Sequence, residues 1–201
     1  MAISSYAELQ TAVINWLHRS DISTIVPDFI MLGEKRIFRE VRSIEMETAL
    51  SSTIASGVIA VPSDYIELKS AYINTTPTSK LIGSSVSQIY EKYPLRSSES
   101  KPKYIAREGS NFIFGPYPDS TYEVKGIYYA KLTSIDTSAN ALFVAHPDLY
   151  LMAALCESAP YLKDDNRITT WEAKYSSIVA DINRINRDDS ISAGSAMVRT
   201  A

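Results

Sequence analysis

Met46-Glu47-Thr48-Ala49-Leu50-Ser51-Ser52-Thr53, then Ala55-Ser56-Gly57, then Val58-Ile59-Ala60-Val61-Pro62, is where the chain changes period. Before it, apolar residues recur every three to four positions. Within it, apolar and small polar residues alternate in twos, the side-chain repeat of a strand. Gly57 sits in a turn and Pro62 closes the second run, so the stretch predicts a β-hairpin with a glycine-containing loop. The fold therefore depends on how a β region starting here joins the helices on either side.

Upstream, Ser5-Tyr6-Ala7-Glu8 reads as a capping box opening a helix, and Leu9, Val13, Trp16 and Leu17 supply its apolar face. Ser20-Asp21 ends it. A second helix is expected from Pro27, whose missing N–H costs nothing in a first turn, with Asp28 at the positive end of the helix dipole. Ile30, Ile37 and Val41 form its stripe, flanked by Phe29 and Phe38. The two make a helical hairpin.

Downstream, Pro62-Ser63-Asp64-Tyr65 is a turn by the usual roles of proline and aspartate. Strands are expected at Ile66–Ile73, Lys80–Ile82, Lys103–Ala106, Phe112–Phe114 and Thr121–Tyr129, with Tyr122, Val124, Gly126 and Tyr128 sharing one side of the last. Glu108-Gly109-Ser110-Asn111 is a hairpin turn, and Ser85 caps a short helix that stops before Pro94. Asn140-Ala141-Leu142-Phe143 reads as a connecting loop. Pro147-Asp148 starts a helix that is apolar on most sides, with Pro160 expected to kink or end it near Ala159. A last helix is expected from about Asn166 to Asn186, with Trp171, Tyr175, Ile178, Ile182 and Ile185 at helical spacing.

Helices at both ends and strands between them predict an α+β fold: a helical bundle formed by N- and C-terminal helix pairs, with an inserted antiparallel β-rich region. The expected divisions are a helical hairpin over 1–43, the β-rich insertion over 44–145, a helix pair over 146–187 and a flexible tail over 188–201. The bundle core is assigned to Trp16, Leu17, Ile30, Ile37, Leu151, Leu155, Trp171, Tyr175 and Ile178.

The chain has 201 residues, 45% hydrophobic and 21% charged, enough for a real core without disulfide staples. Its net charge of −3 gives no general argument for nucleic-acid affinity, although a local basic face fits within such a total. The single cysteine, Cys156, lies in an apolar run and reads as a small core hydrophobe rather than a reactive thiol. Thirteen tyrosines suit either sheet surfaces or interfaces. The N-terminus lacks the pattern of a secretory signal, and no run of about 20 apolar residues spans a bilayer, so cytoplasmic folding without a membrane is expected.

No chemistry stands out. The only histidines are His18 and His146, and no Cys/His cluster has metal-ligand spacing. No phosphate-binding loop, HExxH or nucleophile elbow is present. Glu45 and Glu47 would share one face of a strand and read as a solvated edge; a carboxylate pair for glycan cleavage is the competing reading. Asp164-Asp165 and Asp188-Asp189 are adjacent, which does not place carboxylates across a sugar. Lys35, Arg36 and Arg39 read as a solvated helix face, and His146-Pro147-Asp148 as a helix start. The expectation is a structural protein, not an enzyme, without cofactor or metal.

Ser5-Tyr6-Ala7-Glu8-Leu9, Trp16-Leu17-His18-Arg19-Ser20-Asp21, Val26-Pro27-Asp28-Phe29-Ile30 and Glu34-Lys35-Arg36-Ile37 follow in an order that resembles the head-to-tail adaptor proteins of short-tailed bacteriophages. Val61-Pro62-Ser63-Asp64-Tyr65, Phe114-Gly115-Pro116-Tyr117-Pro118, Tyr122-Glu123-Val124, Tyr128-Tyr129, Pro147-Asp148-Leu149-Tyr150-Leu151 with Ala153-Ala154-Leu155, and Trp171 with Tyr175 continue the resemblance. It implies a virion protein assembled in the host cytoplasm that forms a ring, typically a dodecamer, below the portal protein. The ring would extend the channel through which DNA passes without specific binding, and would attach tail nozzle or fibre proteins. The helical part would line or surround the channel, the β part would face outward or toward the tail, and the C-terminal segment would dock on the portal. The unpatterned stretch after Arg187 fits such docking, with Ile191, Met197 and Val198 as anchors and Arg199 as the charge contact. The alternatives are another tail or nozzle component, or a virion-associated cell-wall hydrolase.

Overall fold

The structure, a computed structural model, describes residues 3–94, 96–97, 100–162 and 167–192. The chain divides into two units: Glu47–Lys131 forms one, and the segments before and after it together form the other.

The second of these is helical. Helix α1 (Tyr6–Leu17) starts on the expected capping box: Ser5 Oγ accepts from the Glu8 N–H at 3.3 Å, and the Glu8 carboxylate accepts from the N–H groups of Ser4 and Ser5. Helix α2 (Val26–Glu40) has Pro27 in its first turn and is followed by a 3-10 turn at Ile44–Met46. After the β unit come α4 (Ala141–Ala145), α5 (Pro147–Leu162) and α6 (Ile168–Ser192). Helix α5 is the axis of this unit. It packs against α1, α2, α4 and α6, and every side chain from Leu149 to Cys156 is buried. That accounts for its lack of a polar face. Helix α2 crosses it at Gly33, where an added Cβ would lie 3.0 Å from backbone atoms of Ala153 and Ala154. Three small residues thus let two backbones meet.

Polar side chains tie the connections down. Buried Glu34 on α2 accepts from Ser134 Oγ at 2.5 Å and from the Ile135 N–H at 3.0 Å. Asn140 caps α4 by accepting from the Phe143 N–H, accepts from the Tyr150 hydroxyl and donates to the Thr133 carbonyl. Asn183 on α6 donates to the Glu40 carbonyl at the end of α2 and accepts from the Arg42 N–H, so it satisfies backbone groups that a helix terminus leaves unpaired.

The other unit holds strands β1 (Glu47–Thr53), β2 (Val58–Ala60), β3 (Tyr65–Ile73), β4 (Ser79–Gly83), β5 (Tyr104–Glu108), β6 (Asn111–Gly115) and β7 (Glu123–Ala130), with helix α3 (Val86–Lys92). They form one sheet in the order β1-β7-β3-β4-β5-β6-β2. Its two outermost strands, β1 and β2, are consecutive in the chain and joined by a tight turn with an Ala55–Val58 bridge, so the sheet nearly closes into a barrel. All seven strands contribute to one interior, including Leu50, Ile59, Ile73, Leu81, Ile105, Phe112, Phe114, Val124 and Tyr128. At Gly126 on β7 an added Cβ would fall 2.2 Å from the Ser70 carbonyl oxygen, where β3 bulges. Helix α3 covers the outside of β5 and β6 through Ile89, against Ala106 and Ile113.

These observations correct the expected fold class. The protein is mixed α/β, with a seven-stranded, nearly closed sheet and six helices among the described residues, not a helical bundle carrying an antiparallel insertion. One strand pair, β4–β5, is parallel. The hairpin expected from Met46 to Pro62 does not form: β1 pairs with β7 and β2 with β6. A strand's alternation records which residues face inward, and the same inward set serves whichever neighbour the closed sheet supplies.

Three local expectations also change. The stretch at Asn140 is a helix start, not a loop. Pro160 lies inside α5, which runs on to Leu162 and does not end at Ala159. Helix α6 continues past Asn186 to Ser192, because Arg187-Asp188-Asp189 holds neither glycine nor proline to stop it.

Candidate functional site

The densest polar cluster of the helical unit centres on Arg36. Its place on α2 aims the guanidinium at α5 and α6, where two of its nitrogens each lie 2.8 Å from an oxygen of Glu172. Glu40 lies at 3.2 Å and Glu157 at 3.8 Å, and the guanidinium carbon stands 4.3 Å from the centre of the Tyr175 ring. The Arg36 hydrogen bonds hold the Glu172 carboxyl below its ordinary pKa, while the same pairing raises that of Arg36. Burial pushes the neighbouring Cys156 thiol up to about 12, and it raises the Tyr175 phenol above its ordinary value. A thiol in that state is not a nucleophile at neutral pH. The cluster joins three helices. Arg36 is therefore not part of a solvated face, as its sequence neighbours suggested; its side chain is 19% exposed.

The other chemically interesting residues are dispersed. Glu45 lies in the 3-10 turn and Glu47 on β1, where it is ion-paired with Lys69, so the two do not share a strand face. His18 closes α1 in the left-handed region at φ 55°. His146 ends α4, its N–H donating to the Leu142 carbonyl. Among the described residues, no group of three or more His, Cys, Asp or Glu side chains is placed to hold a metal. None of the described helices is long and apolar enough to cross a membrane. Asp164 and Asp165 lie outside the described residues.

What the helical unit offers is exposed apolar surface. Ser43, Ile44, Glu45, His146, Ile182 and Ile185 line a groove beside α6. Ile44 and Ile185 are 58% and 53% exposed, and Val144 on α4 is 67% exposed. Ser43 Oγ is buried there without a hydrogen-bond partner among the described residues. Trp16, Asn15, His18, Arg167, Thr170 and Trp171 form an open bowl, in which Arg167 donates to the Trp16 carbonyl and stacks on the Trp171 ring.

Of the residues assigned to the core, Leu17, Ile30, Ile37, Leu151, Leu155, Trp171 and Tyr175 are buried and Ile178 is half-buried. Trp16 is not a core residue, being 44% exposed. Leu9, Val13 and Leu17 already fill the inward row of α1 at four-residue spacing, and Trp16 is turned about 100° away from Leu17. Ile191 lies in the last turn of α6, while Met197, Val198 and Arg199 lie outside the described residues. The sequence pattern did not single out Ile44, a lone apolar residue among polar neighbours, or Val144, which lies in the apolar run Ala141–Ala145 and differs from Leu142 and Phe143 only in facing outward.

A model of the SU10 adaptor protein family matches residues 4–200, nearly the whole chain. The chain belongs to the SU10 adaptor family. It is thus a phage head-to-tail adaptor, a structural protein of the virion neck that associates with other head and tail proteins. No curated protein matches it. For an adaptor, dispersed polar residues and exposed apolar side chains on a well-packed helical unit are the informative features, because such a protein acts through the surfaces it presents.

Proposed function

We propose that this adaptor forms a ring, a dodecamer, below the portal protein, extends the DNA channel and attaches tail nozzle or fibre proteins. The observation that carries the reading is the family match over residues 4–200. Exposed Ile44 and Ile185, which line one groove, support it, since large apolar groups left uncovered side by side suit a partner. The C-terminal segment carrying Ile191, Met197, Val198 and Arg199 is the portal-docking element of this proposal.

The test is to mix purified chain with purified portal and to determine the mass and symmetry of the product by native mass spectrometry and electron microscopy. A ring of fixed copy number on the portal is expected. A chain that stays monomeric and never joins the portal overturns the proposal. Removing residues 190–201 is expected to leave the fold intact, as read by circular dichroism, and to weaken attachment; unchanged attachment removes the docking role alone.

A further inference from the structure

The acidic total hides a basic segment. Residues 80–107 carry six lysines and arginines against two glutamates, whereas the rest of the chain carries fourteen against twenty-one acidic residues. Five of the six belong to one end of the barrel. Strands β4 and β5 run parallel, with Ile82 opposite Tyr104, so Lys80 and Lys103 flank the starts of both strands. Lys101 reaches Thr75 at the end of β3, and Arg96 reaches the Phe114 carbonyl near the end of β6. Lys92 ends α3 and bonds to Tyr104.

What holds each cation decides how much of its charge is left. Arg36, Arg19, Lys69, Lys125 and Arg184 meet carboxylates, which cancel their charge. Among the described residues, which do not include Glu99, the groups that hold Lys92, Arg96 and Lys101 are neutral. Lys92 lies over the Tyr104 and Tyr93 rings at 4.8 and 5.8 Å, and Arg96 over the Tyr117 and Tyr90 rings at 5.1 and 5.6 Å. Lys101 donates to the Thr75 hydroxyl at 2.6 Å. Lys80 and Lys103 are exposed. Rings and hydroxyls fix a cation in place without neutralising it. Lys92 donates to the Tyr104 oxygen at 3.1 Å, which leaves the Tyr104 O–H to donate outward. Glu91 lines the same cleft, and Glu123 nearby is engaged by Asn74 and Lys125.

We propose that this face, made by Lys80, Lys92, Arg96, Lys101 and Lys103 with the Tyr104 hydroxyl, binds the phosphate backbone of duplex DNA without sequence preference. Positioned, uncancelled cations with hydroxyl donors between them are what phosphate contacts require, and they carry no base readout. Regularly spaced phosphates suit cations spread along the ends of neighbouring strands and α3, while a phenol O–H donates to phosphate and carboxylate alike, so matched polyglutamate is the arm that separates the two. The inference rests on charge placement within the barrel and not on ring formation.

The test uses the full chain and a labelled 30-base-pair duplex, read by fluorescence anisotropy at 50 and 200 mM salt. Expected is binding at 50 mM that weakens at least tenfold in the triple variant K80E/K101E/K103E and in K80Q/K101Q/K103Q. The dependence of log affinity on log salt should flatten by about 3, one unit for each phosphate deprived of its cation. K35E and K131E together should change affinity less than twofold. Thermal melting checks that the variants fold. Absence of wild-type binding at 50 mM salt, or binding by either triple variant as tight as that of wild type, overturns the proposal. So does tenfold preference for single-stranded DNA, or for polyglutamate of matched charge, the latter pointing to an acidic protein partner.

Discussion

Arg36 on α2 and Glu172 on α6, 136 positions apart in sequence, meet in a two-pronged hydrogen bond with both contacts at 2.8 Å. The Glu172 carboxyl has its pKa lowered by that contact, so in the folded state it stays ionised where an unfolded glutamate would take up a proton. A depressed pKa contributes stability that is present above the ordinary carboxylate range and is lost as pH falls through the folded value. Glu172 is 40% exposed, so the contribution is modest, on the order of 1 kcal/mol. Urea unfolding of wild type and Glu172→Gln should differ by that amount at pH 7 and converge toward pH 3. A difference that grows on acidification would contradict the assignment.

Replacing Arg36 itself is expected to cost more. Arg36→Ala leaves Glu40, Glu157 and Glu172 facing one another around an emptied, partly buried site, for a loss of about 2–3 kcal/mol. Arg36→Lys should recover only part of it, because an ammonium cannot make the paired contact. The midpoint of urea unfolding measures both.

Gly33→Ala should destabilise the protein, opposite to the gain of about 1 kcal/mol expected from that exchange within an unobstructed helix. The added carbon meets backbone of Ala153 and Ala154 at 3.0 Å, and two packed helices give way only by separating. A loss of about 1–3 kcal/mol is predicted, the usual cost of overpacking. A rise in melting temperature would show that the crossing has room to spare.

Trp171→Ala and Trp16→Ala separate core from surface. Trp171 is almost fully buried and its truncation should cost about 3–5 kcal/mol. Trp16 is largely exposed, and its removal should cost under about 1 kcal/mol in the isolated chain. Equal losses in chemical denaturation would place Trp16 back in the core.

The Cys156 thiol, buried with its pKa pushed up to about 12, should resist a thiol-reactive dye at pH 8 and react within seconds once urea unfolds the chain. Rapid labelling of the native protein would show that the α5 environment opens readily.

The sequence made individual elements legible where local chemistry determines them. The Ser5–Glu8 capping box, the all-apolar run from Leu149 and the Glu108–Asn111 turn each act within a few residues, and each stands in the structure as expected. Strand partners were not legible. Leu50 and Ile59 alternate with polar neighbours as inward residues should, but alternation does not say that β1 joins β7 and β2 joins β6. Nor does it reveal closure, which depends on the twist accumulated over seven strands. The role of Arg36 was hidden for a related reason: its neighbours Lys35 and Arg39 are exposed, and its paired partner Glu172 comes from a helix far along the chain. Family membership was visible in the order of many weak motifs, although none of them alone performs chemistry.

The pairing of Glu47 with Tyr129 has a consequence for how the chain folds. The first residue of the barrel unit sits opposite its last strand's penultimate residue, so the chain leaves the barrel beside the point at which it entered. Once the barrel has formed, the helical unit no longer has to close a loop of the 85 residues from Glu47 to Lys131; it closes one about as wide as a single strand pair. With closure entropy growing as the logarithm of loop length, this removes about 3 kcal/mol from the search that brings the end of α2 to the start of α4. The barrel thus works as a clasp, and mutations that loosen it should slow assembly of the helices.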